Sequence, residues 1–153
     1  MSIIAPFAKP MYVMLKPVGS KCNLDCDYCY YLEKANLYQN RQQVMSEELL
    51  ERFIQQYIES QTMPQVMFTW HGGETLMRPL SFYKKAVERQ KKYARGRQID
   101  NSIQTNGTLL NDAWCKFFKE TGCQSVRPVH THRRAIAKKQ IVVKTGYRAG
   151  RGS

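Results

Sequence analysis

The chain has 153 residues, 42% of them hydrophobic, with five cysteines and a formal net charge of +12. That length suits one compact domain with a real core, and no run approaches the roughly 18 consecutive apolar residues of a membrane-spanning helix. The charge would ordinarily point to an acidic partner such as nucleic acid, but residues 1–120 hold 16 basic against 12 acidic side chains, and the last 33 residues hold the other 8 basic ones and no carboxylate.

Residues 1–10 contain Pro6 and Pro10 and lack the continuous apolar stretch of a secretory signal, so a cytoplasmic location is expected. The run Tyr12-Val-Met-Leu15 predicts a first strand, stopped by Lys16-Pro17 because proline cannot donate to a ladder. Ser46 is a plausible N-cap, with Glu47 and Glu48 in the first turn. Leu49, Leu50, Phe53, Ile54, Tyr57 and Ile58 then recur at helical period. Val66–Trp70 predicts a buried strand ending at His71-Gly72-Gly73-Glu74. After Pro79, Phe82, Tyr83, Ala86, Val87, Gln90 and Tyr93 mark a second helix with a basic, solvated outer face. A third strand, Ile99 to Gln104, runs into Thr105-Asn106-Gly107. A third helix opens near Asn111 or Asp112 and stops at Gly122. Three β-α units imply a parallel sheet whose strands all end on one rim, the usual place for a site.

The chemistry sits after the first strand, where Cys22, Cys26 and Cys29 follow a C-x3-C-x2-C spacing with Tyr28 before the last thiol. Clustered thiols fit metal binding better than a disulfide framework. Three ligands leave a tetrahedral zinc site open, whereas a 4Fe-4S cluster held by three cysteines keeps one iron free for an outside ligand. The bland alternative is structural zinc completed by His71 or another residue. Cys115 and Cys123 read as ordinary thiols. Gly72-Gly73-Glu74 permits close backbone approach and offers carbonyl and carboxylate acceptors suited to an ammonium group, although two glycines after a strand often form only a turn. Gln104 and Asn106 could face the same mouth, but turn formation explains Asn106-Gly107 well enough.

The cysteine run, Met14-Leu15-Lys16-Pro17, Cys29-Tyr-Tyr-Leu-Glu33, His71-Gly-Gly-Glu74 and Gln104-Thr-Asn-Gly-Thr-Leu109 together resemble the anaerobic sulfatase-maturating enzymes of the radical S-adenosylmethionine superfamily. The resemblance covers about residues 11–122. It implies an α/β fold, the first three β-α units of a partial (β/α)6 radical-SAM barrel. It also implies a 4Fe-4S cluster on Cys22, Cys26 and Cys29, with S-adenosylmethionine chelating the open iron. Gly72, Gly73 and Glu74 match the motif that holds the cofactor's amino group, and Tyr28 matches a position touching the cofactor. One-electron reduction of the sulfonium would release a 5'-deoxyadenosyl radical that takes hydrogen from the substrate. The implied activity is oxidation of a sulfatase Cys or Ser to formylglycine without oxygen, with a sulfatase polypeptide and a one-electron donor as partners.

Two departures stand out. Thr75 replaces the proline usual after the glutamate, which bears on the stiffness of that turn. The Ser-x-Asp-Gly-Pro motif expected at the end of the next strand is absent. Residues 123–153 are therefore expected to be a disordered basic tail, the result of a frameshift or truncation, and the chain an incomplete, inactive fragment whose third strand is left as an open parallel edge. The rival function is a zinc-stapled basic module that binds nucleic acid. The tail's only aromatic residue is Tyr147, which argues against it.

Overall fold

The computed structural model describes residues 11–26, 29, 31 and 44–123, together with the backbone of 125–128. In chain order the elements are β1 (Val13–Leu15), α1 (Glu47–Ser60), β2 (Gln65–Trp70), a 3-10 turn (Thr75–Met77), α2 (Leu80–Tyr93), β3 (Gln98–Thr105), α3 (Asp112–Thr121) and β4 (Ser125–Pro128). The sheet order is β1-β2-β3-β4 and every pairing is parallel. All carboxyl ends therefore lie on one edge of the sheet.

The helices begin and end where the sequence places them. Ser46 Oγ accepts from Leu49 N at 3.1 Å, and Asn111 Oδ1 accepts from Trp114 N at 3.1 Å, each satisfying a donor that the first turn leaves without a helical partner. Gly122 closes α3 at φ 65°, the left-handed conformation in which glycine carries no Cβ penalty.

Along β2, Val66, Phe68 and Trp70 are buried while Met67 and Thr69 are partly exposed, the period-2 signature of one covered face. That face meets Leu50, Ile54, Tyr57 and Ile58 of α1, Phe82, Tyr83 and Ala86 of α2, and Trp114, Phe117 and Phe118 of α3 in one continuous core. The other face carries Met14, Thr69 and Ser102 in register, a largely polar row. Outside the core, α1 and α2 are laced by Lys85–Glu47 (2.6 Å), Arg89–Glu51 (3.0 Å) and Lys92–Glu51 (2.9 Å). Hydrogen bonds from Lys85 and Lys92 hold the Glu47 and Glu51 carboxyls below their usual range. These pairs are largely exposed and fix the mutual orientation of the helices more than they stabilise the fold.

Phe68 is the centre of this packing. It is fully buried, edge-on to Tyr57 at 5.1 Å and stacked along Trp70 at 6.3 Å. Phe68→Ala is expected to cost about 3–5 kcal/mol, lost transfer energy plus an unfilled cavity, read as a lower urea midpoint at constant slope.

The sheet is one strand wider than the sequence reading. Residues 125–128, assigned there to the tail, pair with β3 in the register Ser102↔Ser125 to Thr105↔Pro128, so among the described residues the last strand of the sheet is β4 and not β3. Four residues give too short a run for a period-2 signal, and Pro128 closes the strand where no further donor is needed. The disorder expected for the remainder of 123–153, apart from Cys123 at the end of α3, falls outside the described residues.

Candidate functional site

Four segments meet at the carboxyl rim. Beyond β1 and β2 the two chains stay side by side. His71 N donates to Leu15 O (2.8 Å), Gly73 N to Gly19 O (2.9 Å) and Glu74 N to Lys21 O (2.7 Å). The segment Lys16–Lys21 is thus laced to His71–Glu74 immediately before Cys22. Both glycines are sterically required here. A Cβ on Gly73 would stand 2.0 Å from Lys21 O, and one on Gly72, whose φ is +123°, 2.7 Å from Gly19 O. Among the described residues, what the two glycines approach closely is the backbone leading into the cysteine loop.

Glu74 is fully buried, and its carboxylate is the hub of the rim. Oε1 accepts from Leu76 N (2.9 Å) and from Thr105 Oγ1 (2.6 Å), and Oε2 accepts from Asn106 N (2.6 Å). It therefore caps the 3-10 turn and ties it to the end of β3. Thr75, also fully buried, adds a second tie by donating from Oγ1 to Gln104 O at 2.7 Å. A hydroxyl bond to β3 stiffens the turn where the resembling family uses proline. Beneath it, Tyr83 OH donates to Thr75 O at 2.8 Å. Burial, with the nearby Glu74 charge adding to it, holds the Tyr83 phenol well above its ordinary pKa, so it stays a donor.

The three thiols Cys22, Cys26 and Cys29 are free and half-buried, and Cys29 N donates to Cys26 O at 2.8 Å in a tight turn. Among the described residues no three His, Cys, Asp or Glu side chains converge on one ion position. A single zinc would need its sulfurs drawn to about 2.3 Å from one point, whereas a cubane can take each thiolate on a different iron. The donor set, three reduced and reachable thiols on one loop, fits the latter. His71 Nδ1 is engaged by Tyr31 OH (3.0 Å) and Gly72 N (2.7 Å), and burial together with the Lys16 charge lowers its pKa. Tyr28 lies outside the described residues.

Sequence reasoning passed over Asn23, Thr105 and Thr108, and weighed Asn106 at the mouth only to set it aside as a turn residue. Asn106 Nδ2 donates to Asn23 Oδ1 (2.9 Å), Asn23 Nδ2 donates to Thr108 Oγ1 (2.8 Å), and Thr108 Oγ1 donates to Asn106 Oδ1 (2.7 Å), a closed ring across 83–85 residues of chain. The Asn106-Gly107 turn was legible as a turn. Its side-chain bonds to Asn23 and Cys22 were not.

The Radical SAM superfamily matches residues 17–131. The serine-type anaerobic sulfatase-maturating enzyme of Bacteroides thetaiotaomicron is 79% identical over 117 residues, which is 76% of this chain and 28% of that protein. The cysteine-type anaerobic sulfatase-maturating enzyme of Clostridium perfringens is 35% identical over 116 residues, 72% of this chain and 30% of that protein. The solved structure of native anSMEcpe with bound AdoMet and Cp18Cys peptide superposes with a TM-score of 0.62 at 34% identity, covering 71% of this chain and 28% of that one. The chain thus spans about 28% of the length of these relatives. Among the described residues no helix is long and apolar enough to cross a membrane. With the cysteine loop, the glycine-lined turn and the β3 end gathered on one rim, the chain belongs to the radical SAM superfamily and is a homologue of the anaerobic sulfatase-maturating enzymes over the first part of their fold.

Proposed function

We propose that Cys22, Cys26 and Cys29 hold a 4Fe-4S cluster and that Tyr28 and the Gly72-Gly73-Glu74 turn receive S-adenosylmethionine. The activity served is oxidation of a sulfatase Cys or Ser to formylglycine, with a one-electron donor as second partner. The observation that carries this reading is the lacing of the three-thiol loop to the glycine turn, Gly73 N to Gly19 O and Glu74 N to Lys21 O. It supports the reading because the segment running into Cys22 lies alongside the turn proposed to receive the cofactor. When bound, the cluster and cofactor supply reductive cleavage of the sulfonium, and with it a radical able to take hydrogen from carbon. The chain's own residues ligate, orient and exclude water. Glu74 acts from inside, holding the turn's shape through its bonds to Leu76, Thr105 and Asn106.

An anaerobically reconstituted, reduced chain should show an electron paramagnetic resonance signal that changes on adding S-adenosylmethionine. An unchanged signal at saturating cofactor would sink the cofactor site. For the 153-residue chain by itself we expect slow uncoupled cleavage of the cofactor at most, and no formylglycine in a sulfatase peptide by mass spectrometry. The matched region is 28% of the relatives' length, and even modest loss of substrate alignment costs roughly a hundredfold in rate. Stoichiometric peptide oxidation would overturn that expectation.

A further inference from the structure

The Cys22 sulfur receives two donors, Leu24 N at 3.4 Å and Asn106 Nδ2 at 3.7 Å. The second comes from a different strand end, 84 positions away. We infer that Asn106 is a positioning residue for the Cys22 thiolate, setting the redox potential of the group that this thiolate ligates. The inference rests on the cluster reading above.

The orientation of the Asn106 amide is fixed by its surroundings. Thr108 N donates at 2.9 Å, and a backbone N–H can meet only the amide oxygen, so Oδ1 faces Thr108 and Nδ2 must face the cysteine loop. Thr108 Oγ1 adds a second donor to Oδ1 at 2.7 Å. The backbone is held as firmly, with Asn106 N on the buried Glu74 carboxylate at 2.6 Å. Asn23, next to Cys22 in sequence, completes the ring with Asn106 and Thr108, and bonds in such a ring polarise one another in the same sense. The donor is thus presented to Cys22 Sγ by four fixed bonds before any metal binds.

A hydrogen bond to a ligating sulfur stabilises the more negatively charged, reduced form and raises the potential. Withdrawing it makes reduction harder. This role differs from turn formation, which needs only Oδ1 and the Thr108 bonds. Asn106→Ser separates the two, since a serine hydroxyl still accepts from the backbone two residues on but is too short to carry the amide donor.

The experiment is an electron paramagnetic resonance-monitored redox titration of the reconstituted full chain, wild type against Asn106→Ala, Asn106→Ser and Asn23→Ala, with iron and sulfide analysis of each. Both Asn106 variants are expected to shift to more negative potential, by roughly tenfold in the reduction equilibrium, which is about 59 mV for one electron. Asn23→Ala, which leaves Nδ2 in place, should stay closer to wild type. Loss of iron from Asn106→Ser, with circular dichroism unchanged and wild type loaded, is the same result in stronger form. Potentials equal to wild type in the loaded Asn106 variants overturn the proposal. A wild-type chain that takes up no iron defeats the cluster reading itself, and it is seen before any variant is compared.

Discussion

Replacing any one of Cys22, Cys26 or Cys29 by Ala is expected to abolish cluster assembly, against about four irons and four sulfides per wild-type chain after anaerobic reconstitution. The loop presents only these three thiols, and a cubane already one ligand short of four cannot be held by two. Cys115→Ala should leave the iron content unchanged. Cys115 lies within α3, whose described contacts are with the core on the helix-covered side of the sheet, away from the cysteine loop. The fold should survive all four substitutions as judged by circular dichroism, since none of these cysteines belongs to the buried core. Stoichiometric zinc with no iron uptake would instead favour the zinc-stapled module.

The contrast between thiols and carboxylate shows which part of the site was legible in sequence. Three thiols packed into eight residues need no tertiary knowledge to be read as a candidate ligand set, because the C-x3-C-x2-C spacing keeps them on one short loop. The strands were legible for a similar reason: Val66–Trp70 and Ile99–Gln104 are bounded by turn residues and pair in register from Val66↔Ile99 to Trp70↔Ile103. Glu74 reads in the sequence as an acceptor for an ammonium group, whereas the bonds the structure gives its carboxylate are to three donors of this chain. Two of its three donors, Thr105 Oγ1 and Asn106 N, come from a strand end 31 and 32 residues later. Nothing in the local pattern around His71-Gly-Gly-Glu74 says which way the carboxylate turns. Thr75 illustrates the reverse, for the missing proline leaves the stiffness of the turn open in the sequence and the bond from Oγ1 to Gln104 O supplies a tie that no local pattern shows. β4 escaped because four residues ending in proline carry almost no periodic signal, and its pairing is a property of β3 as much as of itself.

Gly73→Ala should be among the most damaging single methyl additions in the chain. Its Cβ would stand 2.0 Å from Lys21 O, 2.5 Å from Lys21 C and 2.6 Å from Ser20 O, all backbone atoms with no rotamer to escape into. Relief requires parting the two segments, and that breaks Gly73 N to Gly19 O and Glu74 N to Lys21 O together. Overpacking alone costs typically about 1–3 kcal/mol, and two lost backbone bonds of roughly 1 kcal/mol each add to it. Gly96→Ala supplies the control. Its φ of +80° is strained for alanine, yet a Cβ there meets nothing within 4 Å, so it should show only the roughly 1–2 kcal/mol of the left-handed conformation. Urea unfolding of the two variants is expected to place Gly73→Ala clearly below Gly96→Ala. Because the displaced segment runs directly into Cys22, whatever Gly73→Ala remains folded should also hold less iron, while Gly96→Ala should load fully. Equal midpoints and equal iron in the two variants would show that the cysteine loop does not depend on the glycine turn beside it, and the pairing that supports the cluster-and-cofactor reading would lose its weight.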